Sequence, residues 1–331
     1  MKIVIRLPNW LGDLVMATAF VEATKQLYPG AVIDVIIKKE LSSIAPLIGG
    51  INKIHIFSKQ EYPGLGGVFR FGKTLRSEQY DIFFNLPASL SSAVMAWGTK
   101  AKKRVGFTDE GGRFLLTNPY TKPLTVHHVD KYLSILEKFT GKAIEDKHVQ
   151  LNPEKPAGEP RRILVNFNSE ADARRMPLEK GRHIINTLTK TFPKTTFTFI
   201  GSPKEKPYVD QLIDGLDNAD RLENITGTTN LPQLSTIMAC SKVILTTDSG
   251  PAHLANSVGA PSIVLTGAGN EHYTAPYNTK DMYIVRYGQL ACEPCGRNTC
   301  KLYGVPKCML MLDEAQILNI MSKYINHNHA E

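Results

Sequence analysis

The 331-residue chain lacks the short signatures that identify most nucleotide-dependent enzymes. The turn after its first apolar segment has no G-x-G-x-x-G, and Gly267-Ala268-Gly269 is not continued by a third glycine, which argues against a nicotinamide enzyme. Neither a Walker A sequence nor a G-x-S-x-G elbow occurs, so P-loop phosphotransferases and α/β-hydrolases drop out. No apolar run reaches the roughly 18 residues of a bilayer span. The N-terminal run is broken by Arg6 and Asp13, which also spoil a secretory h-region and place the chain in the cytoplasm. Cysteine is scarce, five in all, and four crowd between Cys292 and Cys308, which does not suit the disulfide framework of a secreted fold.

What remains is ordinary globular composition: 42% hydrophobic, 21% charged, 25 glycines and 20 prolines. At about 100 to 200 residues per domain the length predicts two domains. Lys plus Arg exceed Asp plus Glu by 39 to 31, a formal +8 that favours an anionic partner: phosphate, a membrane surface or nucleic acid.

Short apolar strands alternate with helices throughout, the pattern of a doubly wound α/β fold. In the first half Lys2 to Leu7 reads as a buried strand, Asp13 to Leu27 as a helix and Ala31 to Ile37 as a strand covered on both faces. Further strands are expected at Lys53 to Phe57, Asp81 to Leu86 and Arg104 to Phe107, with helices around Phe69 to Ser77, Leu90 to Gly98 and Val129 to Phe139. Three prolines and a glycine between Asn152 and Pro160 read as a linker. The pattern restarts with strands at Arg162 to Phe167, Thr195 to Ile200, Lys242 to Thr247 and Pro261 to Thr266. Helices are expected over Leu178 to Thr191, Pro251 to Val258 and Asp313 to Ile325, and a frayed tail from His327 to Glu331. Domains are therefore expected at 1–155 and 160–312, with a terminal helix and tail at 313–331.

Ligands of doubly wound domains bind beyond the carboxyl ends of the strands. After the first strand, Asn9-Trp10-Leu11-Gly12-Asp13 delivers a carboxylate to the first turn of a helix. Favourable helix-dipole placement, worth about 0.3 to 1 kcal/mol, explains Asp13 as readily as catalysis does. In the second half, Thr246-Thr247-Asp248-Ser249-Gly250-Pro251-Ala252-His253 has Ser249 as N-cap, Gly250 open to a phosphate and Pro251 in the first turn, an anion site. Asp248 would repel phosphate and suits a sugar hydroxyl, while His253 alone reads as a buried histidine. Arg174 and Arg175 could clamp a pyrophosphate or belong to a solvated basic loop. Glu205 is within reach of ribose hydroxyls or simply exposed. Lys100, Lys102, Lys103 and Arg104 lack interleaved aromatics, so the default is solvated charge and the sharper reading an anionic acceptor or membrane. Cys292, Cys295, Cys300 and Cys308 have the form C-x2-C-x4-C-x7-C. A structural zinc site is one reading, and a reduced packing cluster or local disulfide the other.

The opening Ile3-Val4-Ile5-Arg6-Leu7-Pro8-Asn9-Trp10-Leu11-Gly12-Asp13-Leu14-Val15-Met16-Ala17-Thr18 resembles the start of the family 9 glycosyltransferases, the ADP-heptose:lipopolysaccharide heptosyltransferases, and most their heptosyltransferase II branch. Similar landmarks follow in order: Tyr80 to Leu86, Arg104-Val105-Gly106-Phe107, Thr246 to His253, and the cysteine segment ending Cys308-Met309. The resemblance implies the GT-B architecture, two Rossmann-like domains with a cleft between them, acceptor in the N-terminal half and donor in the C-terminal half. It implies an inverting, metal-independent transfer with no required cofactor, and puts the family's catalytic aspartate on Asp13. Its donor loop falls on Asp248, Ser249, Gly250 and His253, and its nucleotide-side glutamate on Glu205, with Ile225, Thr226 and Gly227 bordering the nucleoside. Asn9, Trp10, Gly12, Lys102, Lys103 and Arg104 would lie on the acceptor side. Arg174-Arg175-Met176-Pro177 departs from the family, which often has Lys before Arg/His-Trp-Pro. The implied partners are ADP-heptose, the Kdo/heptose-lipid A inner core, and the cytoplasmic face of the inner membrane, bound peripherally. Nucleic acid is not among them. A related enzyme with another nucleotide sugar or acceptor is the alternative reading, and a non-catalytic nucleotide- or nucleic-acid-binding protein a more distant one.

Overall fold

A computed structural model describes residues 1–108, 111–156 and 162–326. The chain divides into two compact units, Met1–Asn152 and Pro153–Glu331. Residues 157–160 of the proline-rich segment and the tail from His327 to Glu331 lie outside the described residues.

Unit 1 runs β1 (Lys2–Arg6), α1 (Leu11–Met16), α2 (Thr18–Leu27), β2 (Val32–Lys38), β3 (Lys53–Phe57), α3 (Gly64–Thr74), β4 (Ile82–Asn85), α4 (Leu90–Thr99), β5 (Lys103–Phe107), β6 (Asn118–Tyr120) and α5 (His128–Thr140). Its six strands are all parallel, in the order β3-β2-β1-β4-β5-β6. Ile3, Val4, Ile5, Val35, Ile36 and Phe84 are fully buried, as strands covered on both faces require. The single helix expected after β1 is two, divided at Ala17, and its first turn starts two residues early. Thr18 contributes to the break, its hydroxyl donating back to Val15 O at 2.8 Å. α3 starts five residues before the expected helix, across Gly64, Gly66 and Gly67. Packing overrides poor propensity there, for Gly72 and Gly98 let the backbones of α3 and α4 meet. The short edge strand β6, with Pro119 inside it, carried no period-2 signal.

Unit 2 runs β7 (Arg162–Asn166), α6 (Leu178–Thr191), β8 (Phe197–Phe199), α7 (Lys206–Ile213), β9 (Leu222–Asn224), α8 (Leu231–Ala239), β10 (Ser241–Thr247), α9 (Gly250–Ser257), β11 (Ser262–Thr266), α10 (Glu271–Thr274), β12 (Met282–Arg286), α11 (Lys307–Leu310) and α12 (Glu314–Ile325). Its parallel sheet has the order β12-β11-β10-β7-β8-β9. Counted from the first strand of each unit, both orders are 3-2-1-4-5-6, that of dinucleotide-binding domains. Each sheet thus has one switch point at its carboxyl edge, between β1 and β4 in unit 1 and between β7 and β10 in unit 2. α12 is no separate body, since Ile317, Ile320 and Met321 join the core of unit 2.

Candidate active site

At the switch point of unit 1, Asp13 stands third in α1, in the dipole-favoured first turn. Two side chains one turn apart on α5 meet the same carboxylate oxygen. His128 Nδ1 lies 3.1 Å from Asp13 Oδ1, and the Tyr132 hydroxyl donates to it at 3.3 Å. Burial, reinforced by the Asp13 charge, pushes the Tyr132 phenol well above its ordinary range, so it stays a donor. The turn leading to α1 is fastened from below by Arg6, whose Nη2 donates to Asn9 Oδ1 at 2.5 Å. Trp10, the N-cap residue of α1, is 66% exposed beside it, and Gly12 lies within the first turn.

The basic cluster assigned to the acceptor side does not join this site. Lys102, Lys103 and Arg104 lie at the amino end of β5, beside Tyr80, Asp81 and Lys2, whereas Asp13 follows the carboxyl end of β1. A five-residue strand separates the edges by about 16 Å. Lys102 pairs with Asp81 at 2.7 Å, and Arg104 donates to the carbonyls of Leu115 and Ala101.

At the switch point of unit 2, Asp248 is 5% exposed and its carboxyl is raised by burial, partly offset by Arg174 and Arg286. Arg174 Nη1 lies 3.7 Å from Asp248 Oδ2. Arg175 does not share that role, since it donates to Asp172 Oδ1 and Ser169 O and lies over the Tyr208 ring. Of the two arginines, Arg174 is the one that lies beside Asp248. Ser249 holds the N-cap position of α9 but makes no side-chain cap bond; its hydroxyl donates to Thr247 O and accepts from Asn166 Nδ2. Gly250 opens α9, and His253 is buried within it. Glu205 accepts from Ser202 N at 2.7 Å, closing a capping box after β8. That loop meets Ile225, Thr226 and Gly227, whose N–H donates to Gly201 O. Four buried polar atoms at this edge have no partner: Asn166 Oδ1, Asn168 Oδ1, Thr226 Oγ1 and Arg174 Nε. Native folds rarely leave such groups unpaired among the described residues, so their concentration makes this edge a candidate for a polar ligand or ordered water.

The loop after β11 is stapled by Arg286, which donates to Gly267 O at 2.6 Å, to Gly269 O and to both oxygens of Glu271. Gly269 faces Asp248 so closely that a Cβ there would run into the carboxylate.

Cys292, Cys295, Cys300 and Cys308 line one small pocket with Leu290, Tyr303 and Lys307. All are free thiols, and among the described residues no three metal-ligating side chains converge as an ion would need. The segment also braces the loops that carry Arg174 and Gly269: Ala173 N donates to Asn298 O and Gly296 N to Ala268 O.

His128, Tyr132, Arg286, Gly269, Asn166 and Asn168 were not anticipated. The first two sit in an ordinary amphipathic pattern, and only their i, i+4 spacing could have signalled a shared target.

The profile of the family described as glycosyltransferase family 9 (heptosyltransferase) matches residues 68–305. The lipopolysaccharide core heptosyltransferase OpsX of Haemophilus influenzae is 25% identical, with 88% of this chain and 86% of that protein covered. The lipooligosaccharide heptosyltransferase 2 of the same organism is 27% identical over 86% and 88%. Among solved structures, the ADP-heptose lps heptosyltransferase II of E. coli superposes with a TM-score of 0.82 at 20% identity, covering 100% of both chains. A family 9 glycosyl transferase from Veillonella parvula gives 0.85 at 18%, covering 99% and 98%. These are GT-B folds, and the two six-stranded parallel sheets match them. Among the described residues no helix is long and apolar enough to cross a membrane. The chain belongs to glycosyltransferase family 9, the heptosyltransferases.

Proposed function

We propose that this enzyme transfers heptose from ADP-heptose to the inner-core oligosaccharide of lipopolysaccharide, with inversion and without a divalent metal. The observation that carries the mechanism is Asp13 held by His128 and Tyr132 at the switch point of unit 1. The acceptor hydroxyl oxygen bonds to the anomeric carbon as the bond from that carbon to the pyrophosphate oxygen breaks. Its proton passes to Asp13, and the electron pair leaves with ADP. A single in-line displacement inverts the centre. A carboxylate is a weak base toward a resting hydroxyl, but that hydroxyl acidifies as the new bond forms, and such help is worth roughly 10² to 10⁴-fold.

Unit 2 holds the donor in this reading. Arg174 and the backbone N–H groups at the start of α9, after Ser249 and Gly250, meet the charge developing on the departing diphosphate, as preorganised electrostatics. Asp248 accepts from heptose hydroxyls, with His253 behind it in α9. Glu205, Ile225, Thr226 and Gly227 border the nucleoside. Asn9, Trp10 and Gly12 face the acceptor, the exposed indole suited to stacking on a sugar face. Because the acceptor is anchored by its lipid, the enzyme works peripherally at the cytoplasmic face of the inner membrane, and sedimentation with anionic vesicles at graded salt checks that placement.

The deciding experiment is mass-spectrometric detection of heptose added to a heptose-bearing lipid A core, with wild type and Asp13→Asn. The variant should lose about 10² to 10⁴-fold in turnover while binding ADP normally. Near-normal turnover would reduce Asp13 to a helix-start residue, and transfer that collapses with chelator would remove metal independence.

A further inference from the structure

Among the described residues, Arg6 is a buried cation whose charge meets no carboxylate. Its residue is 3% exposed, and burial alone brings its guanidinium down to about 10, with no acidic neighbour offsetting it. It therefore stays charged at neutral pH. All of its bonds go to neutral oxygens: Leu7 O at 2.5 Å, Ile36 O at 3.3 Å and Asn9 Oδ1 at 2.5 Å. Its Nε has no partner. Arg6 is in register with Asn85 on the adjacent strand β4, so the two side chains share one face of the sheet. Asn85 is fully buried, and neither its Oδ1 nor its Nδ2 has a partner. The next strand places Gly106 beside it, where a Cβ would come within 2.9 Å of Asn85 Cβ. A cation without a counter-ion, an amide with nothing bonded and a glycine that leaves room thus line the switch point, one turn of chain before Asp13. The guanidinium also lies over the Phe57 ring at 5.7 Å, yet a buried charge with no ion partner still costs several kcal/mol, a cost that a bound anion would offset.

We infer that Arg6, Asn9 and Asn85 form a subsite for an anionic group of the acceptor, a phosphate monoester or a sugar-acid carboxylate, whose oxygen takes the place of Asn9 Oδ1 on the guanidinium. This rests on the acceptor reading given above. Asn9 is partly exposed and is the movable member, since rotation of its side chain opens the Arg6 fork.

Asn9→Asp tests the subsite by giving Arg6 an internal carboxylate. The variant should fold at least as stably as wild type, keep the donor KM, and raise the acceptor KM by about 10- to 150-fold, the worth of a charge-assisted hydrogen bond. Dephosphorylated and carboxyl-reduced acceptors distinguish the two sources: the treatment that raises the wild-type KM and erases the difference between wild type and variant names the anion. Arg6→Gln should show the same acceptor-specific loss. An acceptor KM unchanged in Asn9→Asp, with a raised Tm, overturns the inference and makes Arg6 a purely structural cation. Absence of wild-type transfer would count against the proposed function instead. Calorimetry with phosphate and acetate on wild type and Asn9→Asp then decides the subsite alone: anion binding lost in the variant supports it, and equal or absent binding refutes it.

Discussion

Replacing Gly269 by alanine probes the proposed donor side without removing a polar group. The added Cβ would lie 3.1 Å from Asp248 Cγ and 3.4 Å from Thr266 Oγ1, and nearer still to Asp248 Oδ2, inside any non-bonded distance. The loop has little freedom to retreat, because Arg286 holds the carbonyls of both Gly267 and Gly269. The carboxylate must therefore swing by more than about 1 Å to regain ordinary contact, taking with it the oxygen that faces Arg174 at 3.7 Å. A misplacement of about 1 Å at a reacting centre costs roughly 100-fold, and overpacking of this kind costs about 1 to 3 kcal/mol of stability. Donor kcat/KM at saturating acceptor is the assay, with Tm alongside it. Gly66→Ala is the control, for it sits in α3 with open space around it and should leave activity alone while adding about 0.5 to 1 kcal/mol. A folded Gly269→Ala enzyme with wild-type donor kcat/KM would refute the assignment of Asp248 to the donor.

Other outcomes are equally specific. Tyr132→Phe and His128→Ala should each lower kcat by about tenfold, the worth of one hydrogen bond to a charged group. Neither should matter in an Asp13→Asn background, a non-additivity that a double-mutant cycle reads directly. Glu78 is held down to about 2 by hydrogen bonds from Lys2 and Lys53. Its contribution to stability is therefore complete above the unfolded value of about 4.3 and is lost as pH falls through about 2. Urea melts of wild type and Glu78→Gln should differ by a constant amount above pH 5 and converge below pH 4, and a gap that persists at pH 2 would contradict the pairing. Burial pushes the Cys308 thiol up to about 11, so mass spectrometry of alkylated protein at pH 8 should find it modified after the less buried Cys292, Cys295 and Cys300.

The sheet cores were legible because their strands are nearly continuous apolar runs: Lys2–Arg6, Ile82–Asn85 and Ser262–Thr266 all fall within a residue or two of expectation. Three-residue edge strands such as Leu222–Asn224 were not, since they give no period to read, whereas the five-residue edge strand Lys53–Phe57 was. Position singles out Asp13 and Asp248, each following a strand into a helix, while the role proposed for Asp13 comes from the family resemblance. Their surroundings are not legible, because His128 reaches Asp13 across 115 residues and Arg286, on the edge strand β12, braces the loop after β11 that faces Asp248. The arginine pair shows the same limit: adjacent residues with one charge and one composition turn to different partners, which depends on where Tyr208 and Asp248 lie in space. Lys102 to Arg104 misled because a charge cluster has no direction until the strand it starts is assigned an edge.

The placement of α12 also sets a timetable for biosynthesis. Unit 1 is assembled from residues up to Asn152, whereas β10 and β12 of unit 2 are covered by Ile317, Ile320 and Met321, made after everything else in that sheet. At about 5 to 20 residues per second, on the order of ten seconds or more of translation separates the completed first unit from the helix that covers the second. From the emergence of β10 until α12 follows, the apolar surface awaiting α12 is uncovered on the ribosome, and the second half is the one that holdase chaperones and nascent-chain proteolysis should find.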